Sequence, residues 1–144
     1  MKIGIVGSQE NLHKDAWRWV INVVEKFELE DVLVSGGCKR GPDQWAEEAY
    51  SLKRFNPKAI IHDVPKGDYP TRRDFAIAAH NRNQLIVDDA DVVIAFWNGF
   101  SGGTHDTIQK TRKANKRLII IQSPREAEYL LENFDKNIGR VKND

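Results

Sequence analysis

The chain has 144 residues, enough for one domain with a core of its own, and 22 Lys and Arg against 21 Asp and Glu leave a net charge of +1. That balance gives no overall electrostatic footprint for nucleic acid or an acidic membrane, and no apolar run approaches the roughly 20 residues of a membrane span. The single Cys38 excludes an internal disulfide and suits a reducing compartment, so a soluble cytoplasmic protein is expected.

The chain opens with the apolar run Ile3–Val6, too short for a secretion signal. Leu12, Ala16, Val20, Val23, Val24 and Phe27 follow at helical spacing. A second run, Val32–Val34, leads through glycines to Gly41-Pro42, a plausible helix start, with Trp45, Ala46, Ala49 and Leu52 as the inner stripe. Ala59–Ile61 is a third strand. A helical region from about Thr71 to Asp89 follows, with Phe75, Ala78, Ala79, Leu85 and Ile86 as its stripe. Val92–Phe96 is a fourth strand, with a helix from Gly103 to about Asn115 behind it. Leu118–Ile121 is a fifth, followed by Ser123-Pro124 as cap and first turn of a short helix near 126–131.

The strand runs are β-branched and do not clearly alternate, as befits parallel strands covered on both faces. Strands alternating with helices, joined by right-handed crossovers, predict an α/β fold: a single three-layer Rossmann-like domain. Its parallel sheet of about five strands is expected in the order 3-2-1-4-5. Such sheets bind ligands beyond the carboxyl ends of the strands, where the winding reverses, here between the first and fourth. The domain is expected over residues 1–135, with 136–144 as a frayed charged tail.

Three glycine-bearing turns follow strands and share one sheet edge: Gly7-Ser8-Gln9, Ser35-Gly36-Gly37 and Trp97-Asn98-Gly99-Phe100-Ser101-Gly102-Gly103-Thr104. Glycines let the backbone approach a ligand, serine and threonine hydroxyls add donors, and a helix start offers free N–H groups to an anion. The three turns are expected to form one anion cradle. Neither the P-loop motif nor the dinucleotide fingerprint is present.

Arg82 falls on the stripe of the third helical region, about 15 Å from its start if the helix is unbroken. A break at His80-Asn81, with Asn81 capping a second short helix, would bring Arg82 and Asn83 to the pocket as a fork for phosphate or carboxylate. The alternative is that Arg82 pairs with Asp88, Asp89 or Asp91 and braces the fold.

In sequence order, Gly7-Ser8, Val34-Ser35-Gly36-Gly37, Gly41-Pro42-Asp43, Arg82-Asn83, Ala90-Asp91, Ala95–Gly99, Ser101 and Gly103-Thr104 together resemble the SLOG superfamily. That group includes the DNA-processing protein DprA and the Lonely Guy phosphoribohydrolases. The resemblance spans residues 2 to about 121. It implies a nucleotide or nucleotide-derivative site over the turns, with Gly7, Ser8, Ser35, Gly36, Gly37, Asp43, Arg82, Gly103 and Thr104 in the pocket. Two positions depart from the pattern. Gln9 stands where many relatives carry Arg, and Thr107 stands where the Lonely Guy enzymes carry their catalytic Glu. The second departure weighs against N-glycosidic cleavage by that route.

Asp43, in a first helical turn, suits a ribose hydroxyl or acid–base work, and Asp106 beside the Gly-Thr turn is a second candidate catalytic carboxylate. Trp97 is the expected base contact. No metal-ligand spacing and no cofactor motif is read. Lys66, Arg72 and Arg73 suggest a basic lid, and Trp17 with Ile21 suggest a contact for a homodimer or higher homo-oligomer.

The leading reading is a protein that binds a nucleotide or nucleotide-derived small molecule as sensor, carrier or sequestering module. A nucleoside monophosphate N-glycosidase using Asp43 or Asp106 is the alternative, so whether the chain is an enzyme stays open. Single-stranded nucleic-acid binding is the third reading, not favoured by the neutral charge.

Overall fold

The computed structural model describes residues 1–140. The elements run β1 (Lys2–Gly7), α1 (Ala16–Glu25), β2 (Val32–Ser35), α2 (Pro42–Ser51), β3 (Ile60–Ile61), α3 (Arg72–Asp89), β4 (Val92–Phe96), α4 (Gly102–Lys113), β5 (Arg117–Ile121), α5 (Pro124–Glu132) and α6 (Phe134–Ile138). The five strands form one parallel sheet in the order β3-β2-β1-β4-β5. This is the expected Rossmann-like α/β fold and strand order.

Strand alternation sorts the core into two layers. Ile3, Ile5, Leu33, Val92, Ile94 and Phe96 pack with residues of α1, α2, α5 and α6. Val6, Val34, Val93 and Ala95 pack with Ile86 of α3 and Ile108 of α4. The centre of the sheet is thus dry on both sides, which is why its strands read as continuous apolar runs.

The third helical region is not broken at His80-Asn81. It is one helix of 18 residues, started by a capping box in which Thr71 accepts from the Asp74 amide and Asp74 accepts from Thr71. At 1.5 Å per residue the helix is about 27 Å long, whereas a five-residue strand spans about 16 Å. Its first turns overhang the sheet, and Arg72–Ile77 are exposed. Arg82, not the helix start, therefore lies level with the strand ends. Leu85 is half-exposed rather than inner, and Leu52, expected on the α2 stripe, is exposed just past the helix end.

The expected tail also needs correction over its described part. Residues 134–138 form α6, and Arg140 Nη1 donates to both oxygens of buried Asp31 at 2.6 Å. Residues 141–144 lie outside the described residues.

Candidate functional site

A cavity of about 860 Å³ opens at the carboxyl edge of the sheet. It spans the ends of β1, β2 and β4, and so includes the point where the winding reverses. Gly7, Ser8 and Gln9 line it from β1, Gly36 and Gly37 from β2, and Asp43 from the first turn of α2. Arg82 and Asn83 line it from α3, and Ser101, Gly103 and Thr104 from the start of α4.

Four expected site residues do not line this cavity. Ser35 is wholly buried and donates its hydroxyl to Glu47 at 2.9 Å. Gly102 lies at the exposed tip of α4. Trp97 turns to the α3/α4 side of the sheet, where its ring stacks on His105 at 5.7 Å and its indole N–H donates to the Ser101 carbonyl at 3.1 Å. Asp106 faces away, its carboxylate held by Lys110 Nζ at 2.5 Å and by the Asn83 side-chain amide at 3.1 Å. Neither Trp97 as base contact nor Asp106 as pocket acid fits those positions. The basic lid fares no better: Val64 of the β3–α3 connector lines the cavity, but Lys66, Arg72 and Arg73 do not.

The backbone donors also differ from expectation. The Ser8 N–H donates to the Phe96 carbonyl at 2.9 Å, and the Asn98 N–H to Ser8 Oγ at 3.0 Å. Cys38 N–H donates to Asp43 at 3.3 Å, and Gly37 N–H to Ser35 Oγ at 3.3 Å. Asn98 Oδ1 accepts from Phe100 and Ser101 at 2.8 and 2.9 Å. Most amides of the three turns are therefore engaged within the protein, and the joint cradle reduces to one place. That place is the α4 N-terminus, which no side chain caps. Ser101 spends its hydroxyl on Ser8 Oγ at 2.6 Å, and the first bond back to Ser101 comes from His105 at 3.1 Å. Gly102, Gly103 and Thr104 keep the unmatched N–H groups of a helix start, where the helix dipole is positive.

Opposite this donor cluster lies Asp43, 4% exposed. Burial raises its pKa, against the lowering effects of the Cys38 thiol and amide, the Arg82 charge and the Gly36 amide. Burial and the charge of Asp43 push Cys38 up to about 11, so the thiol is not a nucleophile at neutral pH. Behind them burial also raises Glu47. Gly36 lets the Arg82 and Asp43 side chains close over the backbone: a Cβ there would sit 2.9 Å from both Arg82 Nη1 and Asp43 Oδ2 and would displace their ends.

Arg82 makes no ion pair with Asp88, Asp89 or Asp91. Asp89 meets His62, Asp91 accepts the Lys2 amide at 2.7 Å, and Asp88 accepts from Gln84 at 2.8 Å. Arg82 instead donates to the carbonyls of Gly36 and His62, and its Nε to Asn83 Oδ1 at 3.0 Å. Its charge stays at the cavity wall, half-buried, with no carboxylate in salt-bridge contact among the described residues.

Sequence pattern alone does not mark the other lining residues, among them Phe75, Ala79 and Phe100, as site residues. Phe75, Ala79, Arg82, Asn83 and Ile86 share one face of an unbroken helix, a signal hidden by the expected break. Phe100 sits inside the glycine turn, where Trp97 is the more conspicuous aromatic residue. Among the described residues no group of three or more His, Cys, Asp or Glu is placed to hold a metal ion, and no helix is long and apolar enough to cross a membrane.

Fold and cavity together define a Rossmann-like domain with an uncapped helix start at its topological switch. Solved structures share this architecture. DNA processing protein A from Helicobacter pylori, described for its single-stranded DNA binding mode, superposes with a TM-score of 0.64 at 22% identity, over 93% of this chain and 73% of that one. The molybdenum cofactor binding protein from Rippkaea orientalis gives 0.64 at 19% identity, over 99% and 89%. The molybdenum cofactor carrier protein from Chlamydomonas reinhardtii gives 0.63 at 15% identity, over 99% and 89%. What they share with this chain is the Rossmann-like α/β fold. No family model and no curated protein sequence matches the chain.

Proposed function

We propose that the cavity binds a nucleotide or nucleotide-derived anion, and that the protein works as a carrier, sensor or sequestering module. The uncapped N-terminus of α4 carries this reading: the unmatched amides of Gly103 and Thr104 and the positive end of a helix dipole border a cavity of small-molecule size, with the Gly102 amide at the exposed tip beside it. Arg82 adds a fixed positive charge on the neighbouring wall, and Asp43 offers a hydrogen-bonding group for a sugar hydroxyl. Two of the structural neighbours are described as binding or carrying a small cofactor, which supports a carrier role on the same fold.

One observation favours a catalytic second reading. Asp43 is a buried carboxyl on the cavity wall with a raised pKa, a shift in the direction that a proton donor to a leaving base requires. N-glycosidic cleavage would then use Asp43, not Asp106. Single-stranded DNA binding by the Helicobacter pylori neighbour makes oligonucleotides the third set of ligands to test.

Thermal stability measured against mono-, di- and cyclic nucleotides, ADP-ribose and short oligonucleotides tests the proposal, with chromatography for released base. A shift with intact ligand supports a binding module. Free base that disappears in Asp43→Asn supports the glycosidase, and a salt-sensitive shift with oligonucleotides alone supports nucleic-acid binding. Arg82→Ala is expected to weaken the nucleotide about ten-fold, as removal of a charge-assisted hydrogen bond should. No shift with any of these ligands overturns the proposal. Self-association over half-exposed Trp17 and Ile21 on α1 is a further proposal, tested by light scattering on Trp17→Glu.

A further inference from the structure

The cavity has two ends of different chemistry. At one end the first turn of α4 is pinned to α3, where the Asn83 side chain donates to the Gly103 carbonyl at 3.2 Å. At the other end α3 presents Phe75 and Ala79 to the same space. Eight residues separate Asn83 from Phe75 on one helix, about 12 Å at 1.5 Å per residue. That span is comparable with a nucleoside monophosphate from its phosphate to the far edge of its base.

Phe100 enters the cavity lining from the loop between β4 and α4. It is 86% exposed, and Phe75 is 50% exposed. One exposed phenylalanine needs no explanation, but two on a single cavity do. Neither is loosely held. Gly99 takes φ +87° to turn the loop, the Phe100 amide donates to Asn98 Oδ1 at 2.8 Å, and Asn98 Nδ2 donates to the Glu10 carbonyl at 2.9 Å. Phe75 packs edge-on against Tyr69, with ring centroids 5.5 Å apart and planes at 86°. The backbone of each is fixed while its ring remains open to a ligand.

We infer that Phe75 and Phe100, which line the one cavity from α3 and from the β4–α4 loop, supply the contacts for a planar ring of the ligand, Phe75 from the far end and Phe100 from the α4 end. The ligand then joins a planar aromatic heterocycle to an anionic group, and the protein discriminates it from a plain sugar phosphate. This rests on the anion-binding reading of the α4 N-terminus and adds the other half of the ligand. Stacking on an aromatic side chain is tolerant of which base is offered and changes affinity by about ten-fold per ring. The subsite therefore selects for a ring, while polar neighbours select among rings.

Calorimetric titration of AMP, GMP, ribose 5-phosphate and inorganic phosphate tests this on the wild type, Phe75→Ala, Phe100→Ala and Phe100→Trp. Both phenylalanines are exposed, so the alanine variants should fold, and an unchanged melting temperature checks it. The wild type is expected to bind AMP or GMP at least about ten-fold more tightly than ribose 5-phosphate. Each alanine variant should lose about ten-fold in nucleotide affinity with ribose 5-phosphate unmoved, and Phe100→Trp should recover the loss. Equal wild-type affinity for AMP, GMP and ribose 5-phosphate, or equal losses for all three in the alanine variants, overturns the ring subsite and leaves the anion site standing. A wild type that binds none of the four ligands overturns both.

Discussion

The side-chain amide of Asn83 bridges two acceptors in α4, the Gly103 carbonyl at 3.2 Å and Asp106 Oδ2 at 3.1 Å. Asn83 is 4% exposed, so these bonds form away from solvent. They fix the height of the α4 start against α3, and with it the direction of the unmatched amides. Asn83→Leu removes the donor, leaving Asp106 to Lys110 and the Gly103 carbonyl to the Thr107 hydroxyl, and it also takes the Oδ1 acceptor from Arg82 Nε. The variant is expected to lose about 1–2 kcal/mol of stability in urea unfolding. It should also bind AMP more weakly at a temperature where it remains folded. Full affinity in a destabilised variant would show that α4 holds its position without this bridge.

Asp43 makes the acid side of the stability profile informative. Burial raises its native pKa above the ordinary value of 3.8, against the pull of Cys38, Arg82 and Gly36. Between the unfolded and the native value the folded protein holds a proton that the unfolded chain has released. Over that window stability falls as pH rises, and above it the contribution is constant. Glu47, also raised by burial, acts in the same direction and serves as a control through Glu47→Gln. Asp43→Asn removes the Asp43 share. The unfolding free energy of that variant minus wild type should rise as pH increases above the ordinary value of 3.8 and level off once native Asp43 is ionised. A constant difference would show that Asp43 titrates alike in both states.

Arg140 tests how far the domain extends toward the C-terminus. Its guanidinium donates twice to Asp31 at 2.6 Å and once to Asp135 at 3.0 Å, and the N-terminal ammonium of Met1 lies 3.3 Å from Asp31. Asp31 is 1% exposed. Removing the guanidinium leaves buried Asp31 with the Met1 ammonium and the Glu28 amide as partners, a charge compensated in part, at about 2 kcal/mol. Arg140→Ala should lower stability by about that amount, and Arg140→Lys by less. Unfolding unchanged in Arg140→Ala would restore the domain boundary expected near residue 135.

These residues also show which parts of the protein were readable in the sequence. Continuous runs such as Val92–Phe96 signal strands buried on both faces, and alternation with helices restricts how they can connect, so the strand order could be read from pattern alone. Long-range geometry could not. Nothing near residue 140 announces that it meets Asp31, 109 positions away. The overhang of α3 depends on a helix longer than its neighbouring strands, a comparison between elements rather than a local signal. The glycine turns marked the sheet edge where the cavity lies. Which amides stay free there depends on which of them Asn98 Oδ1, Ser8 Oγ and the Asp43 carboxylate accept from, and composition does not reveal that.

Ser101 separates folding from binding most sharply. As the residue before α4 it occupies the capping position, yet its hydroxyl is 2.6 Å from Ser8 Oγ and caps nothing. Ser101→Asp would place a carboxylate where it can accept from the Gly103 or Thr104 amide and meet the positive helix end. Capping of that kind stabilises by about 1 kcal/mol, set against the loss of one neutral hydrogen bond to Ser8 of comparable size. Stability should therefore change little or rise slightly. The same carboxylate occupies the donors proposed for the ligand and repels an incoming anion. AMP affinity should fall by about ten-fold or more in the variant, the cost of removing one charge-assisted hydrogen bond to the ligand. Destabilised variants that bind less are common, but one that folds as well as wild type while losing the anion points to those amides. If Ser101→Asp bound AMP as wild type does, the anion would have to sit elsewhere in the cavity, with Arg82, Lys39 and Arg40 of its lining left to hold it.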